Sequence, residues 1–129
     1  MYIVYETNNA IDSLRSKYLV LELDTIEFSE GDEVKTVKAF VVIDTAHIPL
    51  EEISKMENLK ELHENLIKNY HLQNWNFCLQ AMEHLTGSFK GEVDTFYDAL
   101  TSRIKVLENE VLPEDWTGNV LTTQTIESE

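Results

Sequence analysis

The side chains from which catalysis or metal binding would have to be built are four histidines (His47, His63, His71, His84), one cysteine (Cys78) and 24 acidic residues in a chain of 129. Their spacing supports little chemistry. His63 and His71 are eight apart on one predicted helix, too far to share an ion. Glu61, His63 and Glu64 are close in sequence, but an i,i+2 pair points to different faces of a helix. The Glu-x-x-His spacing of di-iron helices does not occur. A lone cysteine excludes a cysteine-based zinc site and any intramolecular disulfide. Glycines at 31, 87, 91 and 118 form neither a GxGxxG nor a P-loop. There is no nucleophile elbow, no Ser/His/Asp motif and no paired Asp-x-Asp loop. Asp44 and His47 alone stand where function is common, at the junction of a predicted strand and the next helix. With no nucleophile beside them, a structural polar bridge is the commoner use of such a pair. The sequence therefore predicts no enzyme, no cofactor and no metal, and keeps Asp44 and His47 as a junction site.

The helical half is rich in aromatic residues: Tyr70, Trp75, Phe77, Phe89, Phe96, Tyr97 and Trp116. Most fall on apolar stripes and belong to a core. Phe77 lies off the stripe of its helix, and Phe89 sits in the loop Gly87-Ser88-Phe89-Lys90-Gly91. These two are the candidate interface residues, because an exposed aromatic among polar neighbours needs an explanation that a buried one does not.

The elements that must carry these residues define an α+β chain. Tyr2–Tyr5 reads as a short strand, and Thr7-Asn8-Asn9 as a turn. Residues 10–17 read as loop or as a single helical turn capped by Asp12. From Tyr18 to Phe28, Leu19, Leu21 and Leu23 alternate with Val20, Glu22 and Asp24. Ile26 and Phe28 then fall on the opposite parity, and a β-bulge near Asp24-Thr25 restores them to the apolar face. After the polar loop Ser29–Glu33, Val34–Ile43 completes an antiparallel hairpin. Pro49 followed by Glu51 and Glu52 predicts a short helix at 49–55. A longer one follows over 57–71, with Leu59, Leu62, Leu66, Ile67 and Tyr70 as its stripe. A tight link leads to a helix from Trp75 to Thr86, with Asn74 as N-cap and Gly87 as stop, so these two helices form an αα-hairpin. A last helix spans 92–110 ahead of Pro113, and Trp116 folds back onto the body. Val120 and Leu121 offer a short edge strand. The expectation is one domain: β-rich over 1–46 with three to four antiparallel strands, helical over 47–112, extended over 113–129.

Net charge is −14 and spread along the chain: residues 1–55 hold 11 acidic and 5 basic residues. A field this negative opposes binding to nucleic acid or anionic lipid, both of which need Lys and Arg on phosphates. It favours solubility and basic partners. No apolar run reaches the length of a membrane helix, and the N-terminus lacks a signal peptide's basic region, so a cytoplasmic protein is expected.

The pattern Leu59-x-x-Leu62-His63-x-x-Leu66-x-x-Asn69-Tyr70, then Asn74-Trp75-x-x-Cys78 and Ala81-Met82-x-x-Leu85, resembles a tetratricopeptide-like helix pair. It looks most like the helical tail of some bacterial class III adenylate cyclases, which also closes with a Pro, a Trp and a Gly, as Pro113, Trp116 and Gly118 do. The matched positions are packing positions, and the cyclase's metal-binding aspartates have no counterpart, so cyclase activity is not implied. Over its whole length the chain is similar to small uncharacterised proteins of tailed phages of marine cyanobacteria. The hairpin, Ile48-Pro49, Asn74-Trp75-x-Phe77-Cys78 and Glu92-x-Asp94-x-Phe96-Tyr97 carry that similarity, which implies a phage origin and a host cytoplasm. Three functions fit these observations. The first is a non-enzymatic protein–protein interaction or assembly factor, with a foreign partner or as a homo-oligomer. The second is an acidic nucleic-acid mimic that inhibits a host DNA-binding protein. The third is a small-molecule-binding regulator using the Asp44–His47 junction.

Overall fold

The alternating apolar residues on either side of Gly31 build the predicted hairpin. In the computed structural model, which describes residues 2–6, 11–46 and 48–122, β2 (Leu19–Glu30) pairs antiparallel with β3 (Glu33–Ile43) from Leu19↔Ile43 to Glu30↔Glu33. The turn is tighter than the loop expected over 29–33. Only Gly31 and Asp32 separate the strands, and Gly31 takes a φ of 64°, as a glycine at the first central position of a type II′ turn does. Register shifts between Glu22↔Phe40 and Thr25↔Lys38, so Leu23 and Asp24 together face Ala39. This is the bulge that the parity slip requires. It leaves Leu19, Leu21, Leu23 and Phe28 buried, as are Val37, Ala39, Val41 and Ile43 of the partner strand.

β1 (Tyr2–Glu6) pairs antiparallel with β3, and β4 (Val120–Thr122) pairs with β2, giving the order β1-β3-β2-β4. The fourth strand, at the expected Val120–Leu121 edge, is parallel to its neighbour. A long excursion through the helices separates β2 from β4, and such a crossover permits parallel pairing where a tight turn cannot.

The chain divides into two compact units, Met1–His47 with Gly118–Glu129, and Ile48–Thr117. The first is the sheet with α1 (Ile11–Arg15), which fixes the ambiguous stretch as one helical turn. Its N-terminal amide is capped from β1: Ile11 N–H donates to Glu6 Oε1 at 2.8 Å. Asp12, the expected cap, instead faces Arg15 at 3.9 Å. α1 covers part of one sheet face, where Val4, Ile11, Val20, Phe40 and Val42 form a small core with Leu14 against it. The predicted turn at 7–9 lies outside the described residues.

The second unit holds three helices. α2 runs unbroken over Leu50–His71, where two helices were expected. No Gly or Pro lies between 50 and 71, and buried Met56 anchors the turn at which the break was placed. Pro49 precedes it, with its carbonyl accepting from the Glu52 and Ile53 amides. α3 (Trp75–Leu85) packs against α2 as an αα-hairpin. α4 (Asp94–Leu107) is shorter at both ends than the expected 92–110. At its C-terminus, Glu108 and Glu110 oppose the helix dipole, and the Asn109 side-chain Nδ2 donates to the Lys105 carbonyl. At its start, Phe89, Lys90 and Gly91 all take positive φ, forming a left-handed turn. No helix among the described residues is long and apolar enough to cross a membrane.

Candidate functional site

Asp44 follows directly on β3, exposed, and its Oδ1 accepts the Ala46 N–H at 2.9 Å. This is an Asx-type bond that closes the strand end. His47 lies outside the described residues, so the expected junction pair is placed through Asp44 alone. Beside it, a cavity of about 330 Å³ is walled by Leu14, Tyr18, Val42 and Asp44. Among the described residues no group of three or more His, Cys, Asp or Glu side chains is arranged to hold a metal.

The two candidate interface aromatics part company. Phe77 is exposed on α3, at 39% of its full accessibility. Phe89 is 2% exposed and belongs to the core of the helical unit, which corrects its reading as a surface residue. Gly87 and Gly91 give the chain the left-handed backbone that turns Phe89 inward. The loop is tied to α4 by Gly87 N–H donating to Asp94 Oδ1 at 2.8 Å.

The remaining exposed apolar residues of this unit are not scattered. His63 meets Tyr97, and Arg103 lies over the Tyr70 ring at 5.9 Å, so α2 and α4 run in the same direction with α3 returning between them in sequence. Residues beyond Tyr70 on α2 and beyond Arg103 on α4 therefore share one end. Leu72 (60% exposed), Phe77, Val106 (58%) and Val111 (fully exposed) all lie there, whereas Leu50 stands at the other end of α2. The same end carries the closing segment. Trp116 packs edge-on against Tyr70 (5.6 Å) and Trp75 (5.7 Å), and Tyr70 packs on Trp75 at 5.8 Å. The Thr117 carbonyl lies 2.8 Å from His71 Nδ1. Rings at such distances fill their own space, so the aromatic residues make a packed cluster, with Trp75 and Trp116 half-buried at its surface.

His63 is completely buried, with Nδ1 2.8 Å from the Tyr97 hydroxyl and its ring against Phe96 and Tyr97. Sequence reasoning left His63 off the α2 stripe, although it stands four residues after Leu59 and three and four before Leu66 and Ile67. A histidine at stripe spacing was the available signal. Burial, with the Asp94 carboxylate adding to it, pushes the Tyr97 phenol well up. Burial also pushes the Cys78 thiol up to about 11, and its Sγ points at the Leu66 carbonyl, 3.7 Å away. A thiol so placed is neutral and inert at ordinary pH.

Comparison with protein-family models, curated proteins and solved structures finds no match for this chain.

Proposed function

We propose that this protein is a non-enzymatic protein–protein interaction factor that docks through the end of its helical unit where α2 turns into α3. What supports this reading is the exposure of Leu72, Phe77, Val106 and Val111 in segments that lie toward that end. Single exposed apolar residues are ordinary, but a group rimmed by polar side chains marks an interaction surface. Acidic residues outnumber basic ones there: Glu108, Glu110, Glu114 and Asp115 are exposed, against Lys68 and Lys105 in the last turns of α2 and α4. A basic partner with an apolar centre matches it. The phage resemblance makes a protein of the host cytoplasm the natural partner, and a second copy of the chain the competing one.

Nucleic-acid mimicry is less well supported. A mimic needs carboxylates in phosphate-like rows, whereas those of α2 (Glu51, Glu52, Glu57, Glu61, Glu64) are interleaved with Lys55, Lys60 and Lys68.

The test is the solution mass of the wild type and of Leu72→Ser/Val106→Ser/Val111→Ser, by chromatography with light scattering, together with host-lysate capture on both. The expected result is a homo-oligomer or a captured protein that the triple variant loses while its unfolding curve is unchanged. A wild type that is monomeric and captures nothing, or a variant that binds as the wild type does, overturns the reading.

A further inference from the structure

In the sheet unit, α1 is too short to roof the face it lies on. Its five residues span about 7.5 Å at 1.5 Å per residue. β2 and β3, with twelve and eleven residues, extend for roughly 36–40 Å at 3.3 Å per residue. The helix covers the cluster of Val4, Ile11, Val20, Phe40 and Val42 and then stops. Past its last turn the chain reaches Tyr18 and enters β2, and at that end of the sheet a cavity opens between Leu14, Tyr18, Val42 and Asp44.

We infer that this cavity is a binding site for a small organic cation, an ammonium group carried on an apolar or aromatic body of about ten non-hydrogen atoms. Its volume of about 330 Å³ is at the lower end of small-molecule sites, which combine apolar walls with a few fixed polar groups. Leu14 and Val42 supply the apolar wall, and the Tyr18 ring supplies a face suited to a cation or an aromatic body. Asp44 is the single charged residue among the described wall residues, and its orientation is set in advance by the Ala46 N–H on Oδ1. That bond occupies one of about four acceptor positions of the carboxylate, so an ammonium can be accepted with no rearrangement. The nearest cation on α1 is directed elsewhere: the Arg15 guanidinium lies over the Phe40 ring at 5.6 Å and faces Asp12. An anionic ligand meets both Asp44 and a chain of net charge −14. This site is independent of the helical surface proposed above.

The experiment is an amide-resolved NMR titration of the full chain with phenethylamine, 2-phenylethanol and spermidine, repeated on Asp44→Asn and Tyr18→Ala. Asparagine retains the Oδ1 acceptor for Ala46 and removes only the charge. Phenethylamine is expected to saturate below about 1 mM, with shifts confined to the neighbourhood of Leu14, Tyr18, Val42 and Asp44. The neutral alcohol, and the amine on Asp44→Asn, should bind roughly tenfold more weakly, a loss of about 1.4 kcal/mol. Tyr18→Ala should also weaken the amine. Equal binding of amine and alcohol, or an Asp44→Asn protein that binds the amine as the wild type does, overturns the assignment. So do spermidine binding as tight as phenethylamine's, which would reduce the site to bulk charge, and an absence of saturable shifts up to about 10 mM.

Discussion

His63 Nδ1 and the Tyr97 hydroxyl oxygen lie 2.8 Å apart in the interior of the helical unit, joining α2 to α4. Burial and the nearby Asp94 charge keep the phenol protonated. Removing one member of such a pair takes a hydrogen bond from a buried polar group, which costs about 1–3 kcal/mol. Tyr97→Phe should therefore destabilise the protein by that amount despite losing a single atom. His63→Leu and Tyr97→Phe combined should fall short of the sum of the singles by roughly 1 kcal/mol. Denaturant unfolding of the four proteins of the cycle measures this, and additivity within about 0.5 kcal/mol would show the bond to be energetically idle.

Alkaline pH should loosen the same unit. Cys78 ionises near 9.0 in the unfolded chain and near 11 in the folded one, and the Tyr97 phenol is shifted in the same direction from 10.0. As pH rises the unfolded state loses protons first, so this part of the stability is complete below pH 9 and is lost as pH climbs through the folded value near 11. For the thiol, two pK units correspond to about 3 kcal/mol at most. Urea midpoints should thus fall steeply from about pH 9 upwards. Cys78→Ala, although weaker at every pH, should show a shallower fall over that window. A wild-type midpoint that is flat to pH 11 would contradict the burial of both groups.

The end of α2 carries a defect that can be repaired. Gln73 N–H donates to the Tyr70 carbonyl and Asn74 N–H to the Asn69 carbonyl, the two bonds of a Schellman motif. That motif wants glycine at the position Gln73 occupies with φ of 64°. The left-handed region costs a side-chain-bearing residue about 1–2 kcal/mol. Asn74 Nδ2 donates to Asn69 Oδ1 at 2.8 Å, where an apolar contact usually accompanies the motif. This bond employs the side chain that the sequence suggests as an N-cap for α3, and no side-chain cap bond is present there. Gln73→Gly should stabilise the protein by roughly 1 kcal/mol, whereas Asn74→Ala should weaken it. A destabilised glycine variant would mean that the Gln73 side chain makes a contact worth more than its backbone strain.

What was legible in the sequence is what hydrophobic period controls. The hairpin, its bulge and the αα-hairpin follow from spacing alone, because a strand face or helix stripe that must be buried leaves few registers open. Three features were hidden for separate reasons. The single α2 was read as two because Pro49 and the acidic pair imply a start, while continuation past Met56 is signalled only by the absence of a breaker. Phe89 looked exposed because a Gly-flanked loop suggests a surface, and a run of left-handed residues that turns a ring inward has no periodic signature. The cavity beside Asp44 depends on how the five-residue helix α1 sits on its sheet face, and residues 10–17 carry no period that decides between loop and helix. The collection of Leu72, Val106 and Val111 at one end emerges only once α2 and α4 are known to run the same way.

The bulge in β2 gives the strictest test of the sheet. Leu23 and Asp24 face Ala39 together. If Asp24 is deleted, Leu23 alone faces Ala39, Thr25 still meets Lys38 and Ile26 still meets Val37. Every apolar side chain keeps its face and the ladder becomes regular. If Glu22 is deleted instead, the regular ladder places Leu23 opposite Phe40 on the other face. Asp24 then falls opposite Ala39 among the buried residues Leu21, Val37 and Val41. Side chains alternate with period two, so the two deletions, two residues apart, have opposite consequences. Deleting Asp24 should leave a cooperatively folded protein within about 1–2 kcal/mol of the wild type. Deleting Glu22 should cost several kcal/mol, roughly the burden of an unpaired buried carboxylate. Circular dichroism melts of the two deletion proteins decide it: comparable melting of both would mean that the register between β2 and β3 is not held by the burial of one face.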